Sequence, residues 1–511
     1  MITTRQQIAQ RQQSAHHDGA RADPRRITLR PHRQTTTVSA TDPSCDENVS
    51  THHSPGDPAD RFITPSELAE HAGRESAWLS IKQQVYDVTE FVARHPGGDV
   101  LLAYAGGDAT DPWTAFHSVS AYKHLPELFI GHLADTEGSA QAQAYRSDWM
   151  AMRAALRRQR AFVASWRFYV GRVLGILALF SLSCTLLYGM SYQRRYVYVM
   201  ASSVCMALFL QQCGWLAHDF LHHQVFPQRW ANDAAGLVVG NLCQGFSVTW
   251  WKRKHNHHHA LPNVATDERI GGDPDIQTMP LLLWSEHLLE SDLGFLRSAV
   301  AAAATASRWS AWLLRHQWWL YVPILCAARL SWLLQSIRFQ LSSVHGDVRI
   351  PCAMRWLEPL SLAAHHVVVA ILTRWICTLP GGSYGAAAVW LVSVQCLGGL
   401  LIGVVFTTGH NALHVLTPAE RQRLDFVQLQ CHTTRNTTSS WFWDWFCGGL
   451  NYQIEHHVWP QLPRHSLPLA SQLLRRFCAK YGITYQTESF WAANRQVIRH
   501  LYQLSRLADQ P

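Results

Sequence analysis

The chain of 511 residues contains twelve cysteines but no Cys-x-x-Cys pair. A zinc ribbon needs such pairs, and a disulfide framework is typical of short, cysteine-dense secreted chains. Several of these cysteines lie inside apolar runs, where a thiol behaves as a small hydrophobic side chain. The scatter therefore argues against both kinds of cysteine site and indicates a reducing compartment.

The first 60 residues are poor in aromatic side chains and contain no apolar core of a signal peptide. They are rich in Arg, Gln, Ser, Thr, Asp and Pro, so they bury too little apolar surface to fold. The first 35 residues, rich in Arg and poor in acidic residues, weakly resemble an organelle transit peptide. We interpret residues 1–60 as a disordered cytosolic tail.

The mean hydropathy of −0.09 is that of a soluble protein, but the polar tail conceals long apolar runs in this average. Four runs approach the roughly 20 residues that cross a bilayer. These runs are 173–190, 196–217, 357–379 and 386–408. Two further apolar segments contain polar or charged residues, so we expect 231–250 to be interfacial or re-entrant and 318–334 to be interfacial.

Basic residues orient the predicted spans. Six arginines lie between residues 153 and 172, just before the first span, and two lie in the loop that follows it. Because positive charge is retained on the cytosolic side, this difference places the N-terminus in the cytosol. An even number of spans then places the C-terminus there as well.

Residues 62–133 have a pattern of their own. A helix is predicted at 65–72 and strands at 77–81 and 84–88, followed by a His-Pro-Gly-Gly turn at 95–98. In this frame the segment resembles cytochrome b5. The resemblance implies that His95 and His117 ligate the iron of haem b from opposite sides. Two imidazole ligands leave no open position on the iron, so such a haem transfers electrons and does not bind oxygen.

The same segment is acidic. It has nine acidic and four basic residues, a charge of about −5 in a chain whose formal charge is +8. Acidic redox domains dock onto basic partners by charge, and the rest of this chain is one candidate partner.

Three histidine clusters follow, at 218–223, 255–259 and 456–457, all on the predicted cytosolic side. Helical spacing places residues three or four apart on one face, as in the segment 255–259. Eight imidazoles from these clusters could supply four ligands to each of two metal ions. They are His218, His222, His223, His255, His258, His259, His456 and His457. The alternative, a set of solvated surface histidines, does not explain why the clusters share one membrane side.

From about residue 62 to 467 the chain resembles the front-end fatty acyl desaturases that carry a cytochrome b5 domain. The resemblance implies a di-iron centre bound mainly by histidine. By position, Gln453 takes the place that a histidine holds in other membrane desaturases, and it marks the front-end and sphingolipid branches. His257 lies outside the family spacing, and His410, then His414, are the candidates for an extra ligand. Four polar residues are suited to orient the imidazoles: Asp219, Asn263, Asp444 and Glu455.

The sequence thus predicts a multi-domain protein in which a small α+β haem domain precedes an all-α, multi-pass transmembrane di-iron desaturase domain. The latter has about four spans plus interfacial helices. The expected boundaries are a tail at 1–60, the cytochrome b5-like domain at 61–135, a linker at 136–165 and the desaturase domain at 166–511.

The resemblance implies a front-end desaturase that uses O2 and electrons from the fused haem domain. It would insert a cis double bond between the carboxyl end and an existing double bond of a polyunsaturated acyl chain. The expected partners are an acyl lipid or acyl-CoA substrate, O2 and NADH-cytochrome b5 reductase, with no nucleic acid. The expected location is the endoplasmic reticulum membrane.

Three alternatives remain open at this point. A sphingolipid long-chain-base desaturase shares a glutamine at the position of Gln453, just before the histidines at 456–457. A lipid hydroxylase of the same superfamily is expected to have histidine there, so Gln453 counts against it. A membrane-anchored electron carrier with degenerate histidines would not need every expected position filled.

Overall fold

The computed structural model describes residues 60–134, 139–266, 271–288, 304–342 and 353–509. The predicted disordered tail lies outside these residues apart from Asp60. Part of the predicted linker, residues 136–138, also lies outside them.

The first part of the described chain forms a four-stranded sheet. Its strands are β1 (Phe62–Ile63), β2 (Trp78–Ile81), β3 (Gln84–Asp87) and β4 (Phe129–Leu133), in the spatial order β1-β4-β3-β2. β2 and β3 form an antiparallel hairpin, and β1 pairs with β4 in parallel. The sheet buries apolar side chains on a small core of its own.

Two short helices accompany the sheet. Helix α1 (Pro65–Glu70) begins at Thr64, whose hydroxyl accepts a hydrogen bond from the backbone N–H of Glu67. Helix α2 (Thr110–Phe116) ends at His117. The predicted small α+β domain is confirmed, with the helix and both strands within a few residues of their expected positions.

The segment expected to be a linker contains a 19-residue helix, α3 (Ala140–Arg158). It buries Trp149, Met152 and Leu156 in a core shared with the last quarter of the chain. The polar residues that suggested a linker lie on the exposed face of this amphipathic helix, which is why composition alone concealed it.

Helices α4 (Trp166–Tyr188) and α5 (Arg195–Leu221) are both long and apolar enough to cross a membrane. Ser183 of α4 bonds Ser202 of α5 at 2.8 Å between buried hydroxyl groups. Most of α4 faces outward with exposed apolar side chains such as Leu174 and Leu177, as a lipid-facing surface requires.

After α5 the chain forms α6 (Arg229–Gly236), a π-helical segment (Leu237–Gln244) and α7 (Val248–Ala260). The predicted interfacial or re-entrant segment corresponds to this short, interrupted run. Ser247 caps α7 by accepting a hydrogen bond from the backbone N–H of Trp250.

Helices α8 (Ala304–Cys326) and α9 (Ala328–Leu341) follow, and within this pair Arg308–Cys326 and Ala328–Leu341 are bent by 68° at their break. The predicted interfacial segment at 318–334 lies across this bend. Just after the bend, Arg329 is buried and its Nε donates to Gln395 Oε1 at 2.9 Å, so its charge is held inside the bundle.

Helices α10 (Met354–Thr378) and α11 (Tyr384–His410) complete the apolar helices. Among the described residues four helices are long and apolar enough to cross a membrane, or five if the bent pair counts as one span. They coincide with the four predicted runs, so the predicted fold class is confirmed.

A group of short helices closes the C-terminal part. These are α12 (Pro418–Arg421), α13 (Phe426–Thr433), α14 (Trp441–Phe446), α15 (Gln453–Val458), α16 (Leu467–Tyr481) and α17 (Phe490–Ser505). Two-residue strands β5 (Asn436–Thr437) and β6 (Thr487–Glu488) pair in parallel between them. α15 is buried along its whole length.

Candidate metal centre

Four helices bring the histidines of the sequence clusters together. His218 lies in the last turn of α5, with His222 just beyond it, and α7 presents three imidazoles at helical spacing. His410 is the last residue of α11, and α15 provides two adjacent imidazoles. The side chains that meet are all buried: His218, His222, His255, His258, His259, His410, His456 and His457.

Five of these imidazoles form the first cluster. Their ligand nitrogens all lie within 4.8 Å of one another, and the members are His218, His222, His255, His259 and His456. The Nε2 atoms of His255 and His259 are only 3.0 Å apart.

The other three form the second cluster, His258, His410 and His457, with the same 4.8 Å limit. The Nε2 atoms of His258 and His410 lie 3.2 Å apart. The Gln453 amide nitrogen lies 2.8 Å from His410 Nε2, so this side chain borders the second cluster. The rings of His259 and His457 stack with centroids 4.1 Å apart, so the two clusters adjoin.

Buried imidazole nitrogens that have no hydrogen-bond partner indicate whether these residues suit a metal. Among the described residues, the buried Nε2 atoms of His218, His222, His456 and His457 have no hydrogen-bond partner. Leaving a buried polar atom unpaired costs about 1–3 kcal/mol, so four such atoms at one place are unfavourable without a ligand. An all-imidazole donor set suits iron, and the histidine clusters are compatible with a di-iron site.

Outer partners orient the second cluster. The Nδ1 of His258 donates to the buried Asp273 carboxylate at 2.9 Å, and the Nδ1 of His457 donates to Gln430 Oε1 at 3.0 Å. The Nδ1 of His410 donates to the Thr433 carbonyl at 3.0 Å. Each bond leaves Nε2 as the nitrogen directed into the cluster.

The protonation of the imidazoles follows from their surroundings. Burial lowers the pKa of His222, His255, His259, His456 and His457, and nearby imidazoles lower each further. These rings are therefore neutral near pH 7, which is the form that binds metals. Burial also opposes the charge of His258, but the carboxylates of Asp273 and Asp275 outweigh it and raise its pKa.

One predicted ligand lies outside both clusters. His223 has a left-handed backbone, with φ of 57°, because α5 has ended two residues before it. Its Nε2 donates to Asp233 Oδ1 at 3.0 Å, beside the Lys252 ammonium group. The structure therefore does not bring His223 to the other seven predicted imidazoles, and His410 joins them instead.

Of two further candidate residues, His414 lies away from the clusters and Asn263 lies beside the second cluster. His414 is exposed and lies 3.1 Å from Glu420, away from the clusters. Asn263 supports the second cluster, since its side chain donates to the His410 carbonyl and its backbone N–H to Asp273.

Three carboxylates expected to orient imidazoles bond elsewhere. Asp219 pairs with Arg464 at 2.6 Å, and its Oδ1 lies 3.9 Å from His218 Nδ1, beyond hydrogen-bond distance. Glu455 accepts from Asn436 and Tyr485. Asp444 accepts from Ser439 and Asn451.

Sequence reasoning missed Asp273 and Gln430 as partners of the imidazoles. Asp273 lies 15 residues after His258 and Gln430 lies 27 residues before His457, and neither spacing indicates a contact with an imidazole.

The two histidines of the N-terminal domain face each other with ring centroids 5.8 Å apart. The Nδ1 of His95 donates to the Gly98 carbonyl at 2.9 Å, and that of His117 to the Trp113 carbonyl at 3.1 Å. Each bond leaves Nε2 as the nitrogen that could ligate iron, so this histidine pair would suit a haem.

Burial keeps both rings neutral. It lowers the pKa of His95 and, together with the nearby His95 imidazole, lowers the pKa of His117 to about 4. The glycines of the turn are required as well. A Cβ atom on Gly97 would lie 2.9 Å from His95 Cε1, and Gly98 has φ of 72°.

The fold and these sites define a class: a helical protein with four helices long and apolar enough to span a membrane and two adjoining histidine clusters, fused to a small domain with a facing histidine pair. Comparison with known proteins agrees. Residues 193–489 match the family model "Fatty acid desaturase", and residues 64–134 match "Cytochrome b5-like Heme/Steroid binding domain". The chain belongs to the fatty acid desaturase family and carries a cytochrome b5-like, haem-binding domain.

Several curated relatives are similar over most of their length. The acyl-lipid (9-3)-desaturase of Physcomitrium patens is 35% identical, covering 87% of this chain and 78% of the relative. A Delta(8)-fatty-acid desaturase of Helianthus annuus is 32% identical, covering 86% and 91%. The Delta(5) fatty acid desaturase fat-4 of Caenorhabditis elegans is 31% identical, covering 82% and 93%.

Proposed function

We propose that this chain is a front-end acyl desaturase. It uses O2 and electrons from its own haem domain to place a cis double bond between the carboxyl end and an existing double bond of a polyunsaturated acyl chain. The observation that supports this most directly is the pair of adjoining, buried histidine clusters in a chain that also contains the paired haem histidines. The relatives named above are desaturases that differ in the position of the double bond.

We assign the clusters as follows. The first cluster holds one iron through His218, His222, His255, His259 and His456. The second holds the other iron through His258, His410 and His457, with Gln453 beside it. His95 and His117 hold haem b. When bound, the iron pair supplies the oxidising power that removal of hydrogen from an unactivated methylene group requires.

The chain's own residues provide the remaining conditions. Asp273, Gln430 and the Thr433 carbonyl hold the imidazoles of the second cluster in one tautomer and orientation. Burial of both clusters excludes bulk water, which protects an oxidising centre from side reactions.

The proposed reaction balances with two external electrons. Reduction of O2 to two water molecules takes four electrons, of which two leave the substrate with its two hydrogens. The other two would come one at a time from the fused domain, where His95 and His117 would hold the haem, with an NADH-dependent cytochrome b5 reductase as their source. The fused domain keeps this donor at a high effective concentration.

A small apolar cavity of about 10 Å³ lies beside the first cluster. It is lined mainly by aromatic side chains of α5, α7, α9 and α11. The lining residues are Gly214, Trp215, His218, Phe246, Trp251, Trp332, Ile402 and Phe406. We propose that the acyl chain approaches the first cluster from this apolar side, where the aromatic side chains would have to move apart to admit it, with its head group at the cytosolic mouth. The protein would then lie in the endoplasmic reticulum membrane with both termini cytosolic.

The test is expression in yeast that lacks polyunsaturated fatty acids, with single polyunsaturated acids supplied in turn. We expect a new double bond on the carboxyl side of the existing ones, located by mass spectrometry of derivatised products. A His222→Ala variant, which removes a first-cluster imidazole, is the inactive control. Hydroxylated products, or desaturation of sphingolipid long-chain bases alone, would contradict the proposal and favour one of the alternatives.

A further inference from the structure

The haem domain contacts α7, the helix that carries His255, His258 and His259. The Tyr104 hydroxyl donates to the carbonyl of Ala260, the last residue of α7, at 2.9 Å. The Arg421 guanidinium carbon lies over the face of this ring, 4.7 Å from the ring centroid. Tyr104 therefore contacts both α7 and α12, and its partner on α7 directly follows His259 in the chain.

Helix α3 forms a second attachment. The Trp149 indole N–H donates to Asp111 Oδ1 at 2.9 Å, and the Arg153 guanidinium donates to the Thr114 carbonyl at 3.0 Å. Both acceptors lie on α2, the helix that ends at the haem histidine His117. These bonds orient α2 relative to the rest of the chain.

Phe116 lies where α2 of the haem domain meets the desaturase domain. It directly precedes His117, and its ring lies edge-on to His259, with centroids 6.4 Å apart and an interplanar angle of 74°. Its ring also packs edge-on against Phe426, with centroids 6.1 Å apart. The residue that directly precedes a haem histidine thus contacts an imidazole of the first metal cluster.

We propose that Phe116 is the contact through which electrons pass from the haem to the first cluster. This inference rests on the proposed function, and it adds the route. In each transfer the haem iron goes from ferrous to ferric, and one ferric ion of the iron pair becomes ferrous. The NADH-dependent reductase then returns one electron to the haem, and two such transfers complete a turnover.

The physical reason is distance. Electron tunnelling weakens steeply as the gap between donor and acceptor widens, and it weakens less steeply through packed atoms than through empty space. The Phe116 ring packs against His259 and Phe426. Hydrogen bonds from α3 orient α2, the helix that carries Phe116, so the contact is preorganised.

The test is stopped-flow oxidation of pre-reduced haem in the full-length, iron-loaded protein, on mixing with oxygen and substrate. For Phe116→Ala we expect reoxidation to slow by about ten-fold or more, equivalent to about 1.4 kcal/mol or more in activation free energy. During steady turnover with NADH and reductase, ferrous haem should accumulate, because its reduction is unimpaired while its oxidation is slowed. Phe116→Tyr, which keeps the ring, should restore the wild-type rate.

Phe91→Leu is the matched control. This ring lies beside the other haem histidine, 6.0 Å from His95, and its other ring contact is with His124 of the same domain. We expect its rate of haem reoxidation to match the wild type once differences in haem potential are measured and allowed for. Iron content and haem spectrum establish that each variant is assembled, and Phe116→Leu replaces the alanine variant if that one loses either cofactor.

The outcomes separate the two proposals. Wild-type reoxidation rates in both Phe116→Ala and Phe116→Leu would overturn the route while leaving desaturation intact. A wild-type protein whose haem shows no substrate-dependent reoxidation, and which forms no desaturated product, would instead overturn the proposed function.

Discussion

Replacing Asp273 by asparagine would show whether one buried carboxylate organises the second cluster. Asp273 is fully buried. It accepts from His258 Nδ1 at 2.9 and 3.0 Å, and from the backbone N–H groups of Asn263 and Asp275, each at 2.8 Å. Asparagine keeps the shape but offers one oxygen and one NH2 group, so at least one of these donors would face another donor.

The magnitude follows from these bonds. A hydrogen bond to a charged group contributes about 1.5–3 kcal/mol, and loss of an outer partner of a metal-binding imidazole reduces affinity or activity by about 10–100-fold. We therefore expect Asp273→Asn to lose iron from the second cluster and most of its activity, while its haem spectrum stays unchanged. The assay is iron content per haem of the purified protein, with activity measured over a series of added iron concentrations.

Asp233→Asn is the matched control, because it makes the same chemical change outside both clusters. Its carboxylate accepts from His223 and Lys252. We expect its iron content to equal that of the wild type, since a partly exposed ion pair contributes about 0–1 kcal/mol. If Asp273→Asn retained iron and activity as fully as Asp233→Asn, the assigned role of Asp273 would be wrong.

Four further predictions follow from individual side chains. His95→Ala should remove the low-spin haem bands and NADH-driven turnover but leave the non-haem iron, as spectra and metal analysis can check. His222→Ala should abolish product, whereas His223→Ala should retain iron and most activity because its ring bonds Asp233 instead of joining a cluster; equal losses in the two variants would contradict the assignment. Gln453→His should strongly reduce activity, because imidazole and amide differ in donor strength and reach beside His410, and a fully active variant would argue against a role at the second cluster. Glu358→Gln should lower the melting temperature, with a cost of about 1–3 kcal/mol, because one of the donors around this buried carboxylate would lose its acceptor, and an unchanged melting temperature would refute this.

Much of the architecture could be predicted because its signals are local. The length of the apolar runs indicated all four spanning helices, and the spacing of His255, His258 and His259 placed three imidazoles on one face. The facing pair His95 and His117 followed from the turn and its domain frame. In each case a few neighbouring residues contain the whole pattern.

The features that escaped prediction depend on tertiary structure. His223 is excluded because α5 ends at Leu221 and the backbone then turns into the left-handed region, which the sequence spacing does not show. Asp273 and Gln430 reach imidazoles 15 and 27 residues away along the chain. Residues 140–158 were expected to be a linker, and only their packing partners on α16 reveal why they form a helix.

The start of α7, the helix that carries three of the cluster histidines, donates hydrogen bonds to a residue that is synthesised much later. Glu358, near the beginning of the third long apolar helix, accepts from the Ser247 hydroxyl at 2.6 Å and from the Thr249 backbone N–H at 3.0 Å. During synthesis, α7 therefore emerges before its carboxylate acceptor exists. The Thr249 N–H near the start of α7 gains this acceptor only after α10, which carries Glu358, has folded beside it.

The metal clusters are likewise completed late, because His456 and His457 come about two hundred residues after the imidazoles of α7 in the chain. His456 belongs to the first cluster and His457 to the second. A chain that stops before α15 therefore lacks one imidazole of each cluster, and neither cluster is complete until the C-terminal part has folded.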